Sequence, residues 1–124
     1  MSASPLMILV AGPYRSGTGD DPVLIAANMR AMDEAALELF RRGHLPVTGE
    51  ALALPMAAVA GSTRVGDRAF DEVFHPVAQR LVVRCDAVLR IGGPSSGADD
   101  MVATGQKLGK TIFRSLEEVP SRMR

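Results

Sequence analysis

The sequence predicts an α/β protein with a parallel sheet of four to five strands and helices on both faces, and three observations carry that prediction. Apolar runs of strand length, Leu6–Ala11 and Ala87–Ile91, alternate with longer stretches in which apolar residues recur every three or four positions. Each of those runs ends in a glycine-rich loop, GPYRSGTG from Gly12 and GGPSSG from Gly92. Strands that alternate with helices form parallel sheets, whose ligands sit beyond the carboxyl ends of the strands, and both loops fall on that edge.

The first strand, Leu6–Ala11, is apolar throughout, as a strand buried on both faces requires, and Pro5 and Gly12-Pro13 bound it. The segment from Gly12 to Pro22 is too rich in glycine and proline for regular structure and reads as a loop. From Pro22 to Arg42 the residues Ile25, Met29, Met32, Ala35, Ala36, Leu39 and Phe40 form one helical stripe, capped by Asp20 or Asp21 and stopped at Gly43. His44–Thr48 fits a second strand. Residues 50–68 are expected to hold a short helix around Ala57 and then a loop, because Pro55 and Gly61 interrupt the apolar run. Asp67–Val82 reads as a helix with Phe70, Val73, Phe74, Val77 and Leu81 on one face, kinked or broken early at Pro76. A strand over Ala87–Ile91, a helix over Ala98–Leu108 ending at Gly109, a last strand at Thr111–Phe113 and a polar tail with one helical turn complete the chain, a single domain over residues 1–124.

Composition narrows the function. Fourteen basic and fourteen acidic residues cancel, which leaves no electrostatic footprint for nucleic acid or an anionic membrane and favours a small-molecule ligand. The short apolar run near the N-terminus lacks a basic flank, so neither a signal peptide nor a membrane span is expected. Cys85, the single cysteine, lies in the apolar run LVVRCDAVL and reads as a buried, reduced thiol, which suits a cytoplasmic protein.

The loops supply the candidate chemistry. AGPYRSGTG lacks both G-x-G-x-x-G and the Lys-Ser/Thr ending of a P-loop, but Arg15, Ser16 and Thr18 are donors suited to an anion. Its alternative role is a plain connector. In the second loop Ser95, Ser96 and Gly97 precede a helix whose first N–H groups can hold a phosphate or a sugar oxygen, and either serine can cap that helix. Asp99 and Asp100 complement the helix dipole or, facing a cleft, serve as nucleophile or cation stabiliser at an anomeric carbon. Glu50 follows the second strand and is a candidate to point into the same cleft. Asp86 is expected at the entrance of its strand as a satisfied polar residue, and His44 and His75 have no partners at metal-ligand spacing, so no metal site is expected.

The opening strand leading to AGPYRS, the long helix ending in RRGHLPV, then CDAVLRIGG, SSGADDM and the closing LGKTIF together resemble the nucleoside 2-deoxyribosyltransferase-like superfamily, including its branch of small bacterial proteins. The resemblance covers most of the chain but not residues 50–71. It implies a flavodoxin-like or Rossmann-like fold, a homodimer or larger homo-oligomer, and cleavage or exchange of the N-glycosidic bond of a nucleoside or nucleotide without metal or redox cofactor. It places Gly12, Pro13 and Tyr14 by the base and sugar, and Ser95 and Gly97 by the sugar or 5′ phosphate. The superfamily's attacking glutamate comes four residues after that glycine, where this chain has Met101, so Asp100, and behind it Asp99, becomes the substitute. Arg15, Ser16, Ser95 and Ser96 would then hold phosphate or sugar hydroxyls. The contrasting expectation is a catalytically inactive nucleotide-binding or sensing module marked by Met101, and a third is a scaffold whose dimer surface is its purpose.

Overall fold

The computed structural model describes residues 4–122. The elements follow the order β1 (Met7–Ala11), α1 (Pro22–Arg41), β2 (Leu45–Val47), α2 (Gly49–Val59), α3 (Arg68–Arg84), β3 (Ala87–Arg90), α4 (Ser96–Lys107), β4 (Thr111–Phe113) and a 3₁₀ turn at Leu116–Glu118. The four strands are all parallel in the order β2-β1-β3-β4, a Rossmann-like α/β arrangement. The sheet therefore stands at the lower end of the expected strand count.

β1 and β3 run side by side at the centre, with Ile8 opposite Ala87 and Ala11 opposite Arg90. Asp86 fixes that register from the entrance: its carboxylate accepts the Met7 N–H at 2.8 Å, and its own N–H donates to the Met7 carbonyl at 2.8 Å. Alternation along the strands divides the core. Ile8, Val10, Ala87 and Leu89 pack with Met32, Ala35 and Leu39 of α1 on one face, while Leu9, Ala11 and Val88 pack with α3 and α4 through Leu81, Val82, Met101 and Val102 on the other. Leu39 and Val82 are wholly buried, and cutting such a leucine to alanine costs about 2–5 kcal/mol through lost contacts and the cavity left behind.

Local chemistry sets the helix starts. Asp21 accepts the Val23 N–H with Pro22 in the first helical turn, Thr48 Oγ1 accepts from Ala51, Asp67 from Phe70, and Ser95 Oγ from Ala98. Two expectations need correction. α2 includes Ala57 but is longer than the short helix expected there, spanning Gly49–Val59 with Pro55 inside it, and α3 runs through Pro76 as far as Arg84. In both cases the proline and the residue four positions earlier, Ala51 or Glu72, are exposed, so water can take the carbonyl that the proline leaves without a donor. Ala53 and Ala57 are buried, and such small residues let α2 approach α3 closely.

The chain end is tied back to the α1–β2 junction. His44 Nδ1 accepts the Leu6 N–H at 3.0 Å, and its Nε2 lies 2.6 Å from the Pro120 carbonyl, which makes Nε2 the protonated nitrogen. Arg42 donates to the Leu116 and Val119 carbonyls, and its own carbonyl accepts the Arg122 N–H at 2.7 Å. Gly43, at φ +93°, sits where a Cβ would lie 2.8 Å from the Arg122 backbone, so only glycine fits this crossing. No helix among the described residues is long and apolar enough to cross a membrane.

Candidate functional site

The two glycine-rich loops meet beyond the carboxyl ends of β1 and β3. Between them lies a cleft of about 220 Å³, walled by the first loop (Gly12, Tyr14, Arg15, Ser16), the start of α3 (Phe70, Asp71, Phe74, His75) and the second loop (Ser95, Ser96, Gly97), with Glu50 inside it. A narrow recess of about 40 Å³ continues inward past Glu50 to Leu9, Ala78 and Met101. Next to pockets of roughly 300–1,000 Å³ that hold drug-sized ligands, this is a compact site. Gly12 lets the strand ends close up, because a Cβ there would stand 2.9 Å from the Ile91 side chain.

Glu50 is the distinctive group. It occupies the first turn of α2, only 7% exposed, and burial raises its carboxyl from the ordinary 4.5 to about 7. A hydrogen bond to its own backbone N–H offsets part of that rise, and the charge of Asp33 adds to it. Among the described residues no cation stands within ion-pair distance of it. The result is a carboxyl group divided between acid and carboxylate near neutral pH, the condition a proton donor or acceptor needs. Tyr14 lies close enough to feel it: burial first, then the charge of Glu50, raises the Tyr14 phenol.

An aromatic wall stands across from the loops. Phe70 and Phe74 stack at 4.6 Å, Tyr14 stacks on Phe74 at 5.9 Å, and His75 meets Phe74 edge-on. The spacing predicts both phenylalanines on one face of a helix, and His75 has no partner at metal-ligand spacing. Nothing in the spacing of α3 alone tells which end of that stripe emerges at the cleft. Asp71 is also a cleft residue, and its place there has no signal in the sequence for the same reason.

The second loop offers donors. Ser95 is buried and its Oγ accepts the Ala98 N–H at 3.2 Å, so it caps α4, while the Ser96 and Gly97 N–H groups belong to the first turn, where helical partners are lacking. A Cβ at Gly97 would meet nothing within 4 Å, so this turn is open. The acids behind it are placed differently from the expectation. Asp99 is directed to Arg90, with Oδ1 3.1 Å from Nε and its side chain 66% exposed; Asp100 is exposed and, like Asp99, is absent from the cleft walls. Met101 lies at the end of the inner recess with Ala98, on the buried stripe of α4. Pro13 stands outside the cleft and packs toward Gly92, whose φ of +76° and missing Cβ leave room for the proline ring.

The other expected residues are brought together: Gly12, Tyr14, Arg15, Ser16, Glu50, Ser95, Ser96 and Gly97 all line the one cleft. Arg90, which the sequence did not single out, holds the second loop in shape by donating to the Ile91 and Gly93 carbonyls as well as to Asp99. No group of three or more His, Cys, Asp or Glu among the described residues is arranged to hold a metal ion. No protein-family profile matches this chain, and no curated protein matches it significantly.

Proposed function

We propose that the cleft binds a nucleoside-type ligand and hydrolyses its N-glycosidic bond, with Glu50 as the group that moves the proton. The observation that carries this reading is the buried Glu50 carboxyl, held to about pH 7 inside a compact cleft that joins an aromatic wall to a helix N-terminus. The base lies along Tyr14 and Phe74, and the sugar hydroxyls meet Ser96 and the open first turn of α4. Protonated Glu50 gives its proton to the base as the C1′–N bond breaks and the bonding electrons leave with the base nitrogen. The resulting carboxylate then takes a proton from the water whose oxygen adds to C1′. Proton count and charge return to the start, and neither metal nor redox cofactor enters.

Met101 supports a second reading, a binding or sensing module without turnover, because a thioether stands where the resemblance implies an attacking glutamate. A panel of deoxynucleosides and their 5′-monophosphates, followed by chromatography for free base and by ligand-dependent thermal stabilisation, separates the two. Release that is lost in Glu50→Gln while stabilisation persists supports hydrolysis. Stabilisation without release by the unaltered protein supports the module, and indifference to every ligand overturns both. The remaining expectations, a cytoplasmic location and a homodimer, belong to the same proposal; α2 leaves Leu52, Met56 and Val59 exposed along one face, and sedimentation of the full chain tests the assembly.

A further inference from the structure

Among the described residues Arg15 is the only lysine or arginine lining the cleft, and it is already engaged. Its Nε lies 2.6 Å from Asp20 Oδ1 and its Nη2 3.1 Å from Asp20 Oδ2, so both oxygens of that carboxylate meet the side-on edge of the guanidinium, one of those that present two parallel donors. Nη1 lies over Gly66, 2.1 Å from where a Cβ would be, a site open only because residue 66 has no side chain. The turn between the two partners is closed from within: Thr18, buried, donates from Oγ1 to the Arg15 carbonyl and accepts the Asp20 N–H at 3.2 Å. Asp20 takes φ +62°, the left-handed conformation that Asp and Asn tolerate best after glycine. The pair spans two cavities, since Arg15 faces the cleft while Asp20 borders a larger groove of about 610 Å³ beside α1.

We propose that Asp20 is a specificity residue that excludes phosphorylated ligands: its carboxylate takes the place on Arg15 that a ligand phosphate would need, so the cleft accepts an uncharged nucleoside and rejects the 5′-monophosphate. The inference rests on the nucleoside reading of the cleft. A phosphate entering the cleft finds Arg15 already paired and meets the carboxyl groups of Glu50 and Asp71, with the Ser16 and Ser96 hydroxyls, His75 and the α4 N-terminus as the remaining donors. Charge interactions support the arrangement from both sides. The hydrogen bond and charge of Asp20, with a smaller contribution from Asp71, strengthen the hold of Arg15 on its proton, and Arg15 holds Asp20 below the usual carboxylate range. The groups facing the pair from the α2–α3 segment are Arg64, which favours the Asp20 carboxylate, and Gly66.

Calorimetric titration of the full chain with a deoxynucleoside and with its 5′-monophosphate, before and after Asp20→Asn, tests this. Asn keeps the left-handed backbone and removes the charge. The unaltered protein is expected to bind the nucleoside more tightly than the monophosphate, and Asp20→Asn to tighten the monophosphate roughly fivefold, the scale of an exposed ion pair, with the nucleoside unchanged. Adding Arg15→Gln to Asp20→Asn is expected to cancel that gain. A monophosphate that binds the unaltered protein more tightly than the nucleoside, or an affinity ratio unmoved by Asp20→Asn, overturns the inference and leaves the nucleoside reading standing. Failure of every nucleoside and monophosphate to bind overturns that reading and this inference together.

Discussion

Arg90 at the end of β3 donates to Asp99 in the first turn of α4 at 3.1 Å, and the same guanidinium reaches two carbonyls of the loop between them. This relationship turns Asp99 toward Arg90, away from the cleft walls, and makes it part of the frame that holds the second loop. The two partners are unequal. Arg90 is 11% exposed in its side chain and serves three acceptors, whereas Asp99 is largely in water. Arg90→Met is expected to lower unfolding stability by about 1–3 kcal/mol, because carbonyls lose their donor, while Asp99→Asn changes it by less than about 1 kcal/mol. Urea unfolding of both variants checks the ranking; equal losses would contradict it.

Glu50 makes stability depend on pH in an unusual direction. Its folded carboxyl titrates near 7 against an ordinary 4.5, so between those values the folded state holds a proton that the unfolded state releases. The contribution is therefore complete below about pH 4.5 and disappears as pH rises through 7. By the linkage relation the loss approaches about 3 kcal/mol, and Glu50→Gln is expected to be more stable than the unaltered protein by up to that amount at pH 8, with no difference at pH 4.5. Chemical unfolding at the two pH values measures it, and a gap that does not change with pH would rule out a buried, uncompensated carboxyl.

His44 holds the N-terminal strand and the C-terminal segment with one ring. Its replacement by phenylalanine keeps the volume but leaves the Leu6 N–H and the Pro120 carbonyl without their partner. A loss of about 2 kcal/mol is expected, together with faster hydrogen exchange at the Leu6 amide. An unchanged unfolding midpoint would show that the ring only fills space.

The sequence made some of these features legible and hid others, for reasons that lie in particular residues. β1 and α1 could be read because an unbroken run from Leu6 to Ala11 and a stripe from Ile25 to Leu39 each have one period, and Gly43 must end the helix. Residues 49–59 were obscured by Pro55, which local rules treat as a breaker but which here faces water. On α4 the buried residues Ala98, Met101, Val102 and Gly105 recur at three- and four-residue spacing and form the inward stripe, which puts Met101 on the buried face. Asp100 stands out in the sequence as one of two adjacent acids opening a helix and as the nearest carboxylate to the expected glutamate, but neither signal tells which way it faces, and it is exposed. Glu50 was visible as an acid after a strand end, but its burial depends on the tertiary packing of α2 against α3, which no local pattern contains. The contacts of Arg42 and His44 with residues 116–122 had no signal at all, since their partners are backbone carbonyls and an N–H more than seventy residues away.

The central claim, that Glu50 is a proton-exchanging group facing a nucleoside-type ligand, is tested most directly by a carbon-13 NMR titration of the Glu50 side-chain carboxyl with and without deoxynucleoside. A midpoint near 7 that moves when the nucleoside binds is the result predicted. A midpoint near the ordinary 4.5 that no nucleoside shifts would contradict the claim.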